Sequence, residues 1–130
     1  MTSIAYLDTS AALKLVVLEP ESRALADELD ADRSRVVAAS WLLHTELHCA
    51  AGRHPDDVSR AAVNAVLGRV TLVDITRGDL MSAGALSSLR SHVAIHLAVA
   101  LRIGADAMVS YDRELLDAAS AAGMAAVSPR

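Results

Sequence analysis

The chain has 130 residues, a net charge of −4, one cysteine and no phenylalanine. That length can bury a core without disulfides or a structural metal, and a lone cysteine excludes an internal disulfide. Hydrophobic residues make up 53 % and aromatics only 2 %, so the core has to be aliphatic; no apolar run reaches the length of a membrane span and no signal peptide precedes the first apolar run, so a single cytoplasmic domain spanning 1–130 is expected.

Ser3–Leu7 reads as a buried strand and Ala11–Val17 as a short helix, broken by Leu18-Glu19-Pro20-Glu21-Ser22. Ser22 is placed to cap a helix over Arg23–Asp30, with Leu25, Ala26 and Leu29 on one face. Arg35–Ala39 is a β-branched run and the second strand. Ser40 caps a helix from Trp41 to Gly52, in which Cys49 is expected to be buried. Pro55 suits the first turn of a further helix reaching Leu67 and ended by Gly68. Val70–Ile75 is the third strand, Thr76 caps Asp79–Leu86, and Ser87-Ser88 loosens the chain. Ser91 opens a strongly apolar helix, His92–Ile103, closed by Gly104. Ala107–Ser110 is the fourth strand, Asp112 starts a helix over Arg113–Ala122 ended by Gly123, and Met124–Val127 is an edge strand. Strands alternating with helices predict a three-layer α/β fold around a mainly parallel sheet of four to five strands.

The net charge argues against a nucleic-acid partner, but it is unevenly placed. Glu19, Glu21, Asp27, Glu28, Asp30 and Asp32 face only Arg23 within their stretch, which reads as a solvated helix face. Elsewhere ten acids meet eleven bases.

Three carboxylates stand out. Asp8 ends the first apolar strand and is followed by Thr9 and Ser10; Asp112 ends the fourth in the same design, after Ser110. Ligands of open α/β sheets collect at the carboxyl ends of the strands, although either Asp could simply cap the helix that follows. Glu46 shares a helix face with Leu42, Leu43, Leu47 and Ala50; there it is either paired with an Arg at the stripe's edge or held by a metal. Three converging carboxylates repel one another, and the usual compensation is Mg2+ or Mn2+ with its waters, which points to phosphoryl chemistry. His44 and His48 share the opposite face at i, i+4, but without a third ligand they make a poor zinc site.

The motifs Tyr6-Leu7-Asp8-Thr9-Ser10, Ser40 to Leu47 with Glu46, Ala94-Ile95-His96-Leu97-Ala98 and Val109-Ser110-Tyr111-Asp112-Arg113-Glu114-Leu115, in this order, resemble the PIN-domain ribonucleases, specifically the VapC toxins of bacterial toxin–antitoxin pairs. The resemblance spans essentially the whole chain. It implies a metal-dependent endoribonuclease using Mg2+ or Mn2+, inhibition by a cognate antitoxin, and a homodimer. It carries Asp8, Glu46 and Asp112 into the acidic site, as catalytic groups and metal ligands, with the hydroxyls of Thr9 and Ser110 beside them. It also implies an Asp where this chain has Val93, so that one ligand is missing and activity is impaired. His92, next to it, lies off that helix face.

Lys14, Arg90, Arg102 and Arg113 flank these motifs and are the candidate RNA contacts; with Tyr6, Tyr111 and Trp41 alone there is no stacking platform. The segments 23–30 and 42–50 are the expected interface helices. Two other readings stay open: a catalytically dead protein that binds antitoxin or RNA without cleaving, and a phosphorelay receiver, which needs a strand-end Lys that the chain lacks.

Overall fold

The computed structural model describes residues 3–86 and 88–130. Met1, Thr2 and Ser87, the last expected above to loosen the chain, lie outside them. The strands are β1 (Ile4–Leu7), β2 (Val36–Ser40), β3 (Thr71–Val73), β4 (Ala107–Val109) and β5 (Ala125–Val127). All pair in parallel, in the order β3-β2-β1-β4-β5. The helices are α1 (Thr9–Val16), α2 (Ser22–Asp30), α3 (Trp41–Arg53), α4 (Arg60–Leu67), α5 (Arg77–Gly84), α6 (Ser91–Arg102) and α7 (Arg113–Ala121). No helix among the described residues is long and apolar enough to cross a membrane.

This order follows from the burial of the strands. β1 and β4 are buried almost throughout, as parallel strands covered on both faces must be. From β1 the chain winds outward through β2 to β3, then crosses to β4 and β5 on the other side. Right-handed crossovers in opposite directions put α1–α4, which pack on one another, and α6–α7 on opposite faces. The aliphatic core between them includes Leu7, Leu25, Leu43, Leu47, Val63, Val93, Leu97, Val99, Met108 and Leu115. Gly104 (φ 72°) and Gly123 (φ 90°) turn the chain out of α6 and α7 in the left-handed conformation that glycine adopts without strain.

Several local expectations are corrected. The helix expected from Pro55 starts only at Arg60. The amides of Asp57 and Val58 turn back onto the His54 carbonyl, and the Ser59 hydroxyl caps α4 by accepting from the Ala62 amide at 3.2 Å. Ser22 does not cap α2 but opens it. Its hydroxyl accepts from the Glu19 amide (2.9 Å) and donates to the Val17 carbonyl (3.3 Å), closing the turn after α1. Cys49 is exposed, because the buried stripe of α3 runs through Leu43, Leu47, Ala50 and Ala51.

Asp79 ties two elements together. Its Oδ2 accepts from the Thr76 amide and its amide donates to Thr76 Oγ1, a reciprocal cap of α5. Its Oδ1 accepts from Arg102 Nε at 2.8 Å, so Arg102, a candidate RNA contact, is held by α5. Burial works against ionisation of Asp79, but Arg102 and the Thr76 donors outweigh it and hold the carboxyl below its ordinary range. A lowered folded-state pKa gives stability that is present above the unfolded value and lost as pH falls through the folded one. Asp79→Ala should therefore cost about 1–2 kcal/mol at neutral pH, through lost capping and loss of a solvent-screened ion pair with Arg102, which is exposed and keeps its bond to the Asp74 carbonyl. The deficit should shrink below about pH 4, where the unfolded carboxyl takes up its proton. Urea denaturation at pH 7 and pH 3 measures both; a deficit that does not change with pH would show that the ion pair contributes nothing.

Candidate active site

The sheet order reverses between β1 and β4, the kind of switch point where open α/β sheets hold their ligands. Leu7 and Val109 are partners in register, so Asp8 and Ser110 leave the sheet side by side. Ser110 Oγ donates to Asp8 Oδ2 at 3.0 Å, Ser10 Oγ donates to Asp8 Oδ1 at 2.8 Å, and the Ala11 amide donates to the same oxygen at 3.1 Å. Asp8 is thus both the N-cap of α1 and a group of the site; the two readings of this residue do not compete. It is 4 % exposed, and burial raises its pKa against the lowering pull of these donors and of nearby His96. The donors are neutral, so they leave the charge uncompensated.

Asp112 has the same double character. Its Oδ1 caps α7 by accepting from the Leu115 amide at 3.2 Å, while Oδ2 accepts from Arg90 at 2.6 Å. Arg90 also donates through its backbone amide and Nε to Glu114 Oε1, both at 3.1 Å. Arg90 is therefore spent on the chain's own acids. Lys14, likewise, bonds Glu19 (2.9 Å) and Glu21 (3.1 Å) and lies over the Tyr111 ring. Of the four bases proposed above as RNA contacts, Lys14, Arg90 and Arg102 are each paired with an acid of the chain, whereas Arg113 is exposed and makes no salt bridge among the described residues.

Glu46 projects from α3 with Oε1 held by two donors, Thr9 Oγ1 at 2.6 Å and His96 Nε2 at 2.7 Å. Its partner is thus a histidine and a hydroxyl, not an Arg. Burial opposes its ionisation, but the hydrogen bonds from His96 and Thr9 outweigh it and keep the carboxyl below its ordinary range.

Asp8, Glu46 and Asp112 line one cleft of about 440 Å3 with Thr9, Ser10, Thr45, Cys49, Arg53, His92 and His96. His92 faces the cleft, contrary to the expectation that it points away. Val93 does not line it; its side chain, 1 % exposed, packs in the core with Leu97 and Ala100. His96 was not singled out from sequence, and it is buried and central. The one local signal for it is a polar residue on the buried stripe of α6, between Val93 and Leu97.

Among the described residues no three His, Cys, Asp or Glu side chains come close enough together to hold an ion as a cage. The donor set still suits a hard cation. Mg2+ retains several waters and needs only one or two carboxylates, and the buried, uncompensated Asp8 supplies the charge it would neutralise.

A profile of the PIN domain matches residues 5–121. The chain belongs to the PIN-domain family. This PIN domain is 38 % identical over 128 residues to Ribonuclease VapC46 of Mycobacterium tuberculosis, covering 95 % of this chain and 96 % of that one. It is 40 % identical over 131 residues to Ribonuclease VapC35 of the same species, with the same coverage. Among solved structures it matches M. tuberculosis VapC20, a Sarcin-Ricin loop cleaving toxin, with a TM-score of 0.75 at 18 % identity, covering 96 % of this chain and 99 % of that one. A toxin–antitoxin complex from Klebsiella pneumoniae matches with a TM-score of 0.73 at 19 % identity, covering 97 % and 98 %. These two likenesses show the PIN fold, with its central parallel sheet, that the alternation of elements predicted.

Proposed function

We propose that this PIN domain is a divalent-metal-dependent endoribonuclease, the toxin of a toxin–antitoxin pair, whose activity is weakened by Val93. The observation that carries the reading is the cleft at the switch point, lined by Asp8, Glu46 and Asp112 in a chain homologous to named VapC ribonucleases. Asp8 and Glu46 would hold Mg2+ or Mn2+, with Asp112 reached by release of Arg90. When bound, the cation supplies an acidified water and stabilises the charge that develops on the phosphate. Ser10 and Ser110 orient Asp8, and Thr9 orients Glu46. Arg53 at the cleft and the exposed Arg113 are placed to meet RNA phosphates. An antitoxin partner, which the toxin–antitoxin complex among the structural neighbours supports, and a homodimer, which rests on the resemblance alone, complete the reading.

The Arg90–Asp112 pair and the core position of Val93 favour a second reading, a protein that binds RNA or antitoxin without cutting. Incubating the protein with RNA in Mn2+ separates the two. The expected result is slow cleavage, stopped by EDTA and absent in Glu46→Gln. Cleavage that persists in EDTA would exclude the metal, and RNA binding without any cleavage would establish the second reading.

A further inference from the structure

Behind Glu46 lies a line of buried polar groups that the proposed chemistry does not use. The Ser40 amide donates to Tyr6 Oη at 3.1 Å, Tyr6 Oη lies 2.7 Å from His96 Nδ1, and His96 Nε2 lies 2.7 Å from Glu46 Oε1. Tyr6 and Ser40 are fully buried and His96 is nearly so. In this line the hydroxyl and the imidazole could each point their protons either way. The backbone amide cannot: it has one hydrogen, no acceptor capacity, and a position fixed where β2 meets α3.

Its direction therefore sets all the others. Tyr6 Oη accepts from the Ser40 amide, and of its two hydrogen-bond partners only His96 Nδ1 can accept, so its own proton turns to His96 Nδ1. The imidazole is then neutral, with Nδ1 as acceptor and its proton on Nε2, aimed at Glu46 Oε1. Burial raises the Tyr6 pKa further above its ordinary range, which keeps the phenol a donor. Thr9 Oγ1 directs its proton at the same oxygen, so Oε1 is saturated and Oε2 is left for the cleft.

We propose that His96 is a positioning residue, locked by Tyr6 and the Ser40 amide into its Nε2–H tautomer so that it fixes the Glu46 carboxylate with one oxygen presented to a divalent cation. The role rests on the reading of Glu46 as a cation ligand given above; the tautomer does not. Fixing a ligand before the cation arrives matters most in a site with few carboxylates, where each must be correctly placed without help from the others.

The test has one readout that needs no cation. The ring nitrogen and carbon shifts of His96 in 15N- and 13C-labelled protein should report a neutral Nε2–H ring, and Tyr6→Phe, which removes only the hydroxyl, should convert it to a mixture of tautomers. A Nδ1–H ring in the wild type would overturn the relay. The second readout is Mn2+ binding, followed by water-proton relaxation. His96→Asn, whose amide ends at the Nδ1 position, should weaken binding about tenfold or more. His96→Gln, whose amide nitrogen reaches the Nε2 position, should restore most of it, although both variants disturb core packing alike. Equal loss in both variants, in step with their melting temperatures, would reduce His96 to a packing role. If Glu46→Gln leaves Mn2+ binding unchanged, it is the reading of Glu46 as a ligand that fails, whichever tautomer His96 shows.

Discussion

Val93→Asp should bind Mn2+ at least about tenfold more tightly than the wild-type chain and cleave RNA measurably faster. Groups that merely orient a metal ligand change affinity or activity by roughly 10–100-fold, and a carboxylate added at position 93 supplies a ligand and a negative charge together. Position 93 is the third residue of α6, whose N-terminus has no side-chain cap. A carboxylate in the first turn also meets the positive end of the helix dipole. The gain has a cost in the metal-free protein. Val93 is buried among Leu97 and Ala100, and exchanging it for a carboxylate loses apolar burial and adds an unpaired buried charge, at a cost of about 2–4 kcal/mol. The variant should melt lower than wild type in EDTA and recover more of its melting temperature when Mn2+ is added. At a free concentration 100 times Kd, binding contributes about 2.7 kcal/mol. Equal cleavage and equal Mn2+ response in the two proteins would remove position 93 from the site and break the proposed correspondence with the family's acidic residue at that helix.

The parts of this site that were legible from sequence are those made by local structure. Asp8 and Asp112 could be placed because each follows a short apolar run and precedes a helix, and the parallel sheet then sets them at neighbouring strand ends. Glu46 stood out because a carboxylate on an apolar stripe needs an explanation. What could not be read is long-range. His96 meets Tyr6 and Glu46 across separations of 90 and 50 residues. Within α6 it looked like one more residue of an apolar helix. Arg90 looked free for RNA because its partners, Asp112 and Glu114, lie 22 and 24 residues further along the chain, at the start of α7. The late start of α4 was a competition between two good local signals, Pro55 and Ser59, decided by which could supply an acceptor to an exposed helical amide. Cys49 was misplaced because a period of 3.6 puts it beside the buried stripe of α3, one position from Ala50, and not on it.

Asp8→Asn should abolish Mn2+-dependent cleavage and at the same time stabilise the metal-free protein by about 1–2 kcal/mol at neutral pH. Asn caps a helix as well as Asp does, so its Oδ1 can keep the Ala11 amide and the Ser10 hydroxyl while the buried charge disappears. The sign of the pH dependence follows from burial, which raises the Asp8 pKa in the folded state. A folded state that holds its proton more tightly than the unfolded chain is favoured at low pH. It loses that advantage as pH rises from the unfolded value, about 3.9, through the folded one. Glu46 and Asp79, whose carboxyls are held below their ordinary range, act in the opposite sense, so the wild-type profile alone would blur the effect. The difference between Asp8→Asn and wild type cancels them: near zero at pH 3, growing with pH, then level once Asp8 is ionised. Added Mn2+ should close the gap by stabilising only the wild type, since the cation compensates the charge that burial penalises. Urea denaturation across pH, with and without Mn2+, measures all three features. An Asp8→Asn protein less stable than wild type at pH 7 in EDTA would mean that the hydroxyls of Ser10 and Ser110 compensate the carboxylate fully, and that this cleft has no unmet need for a cation.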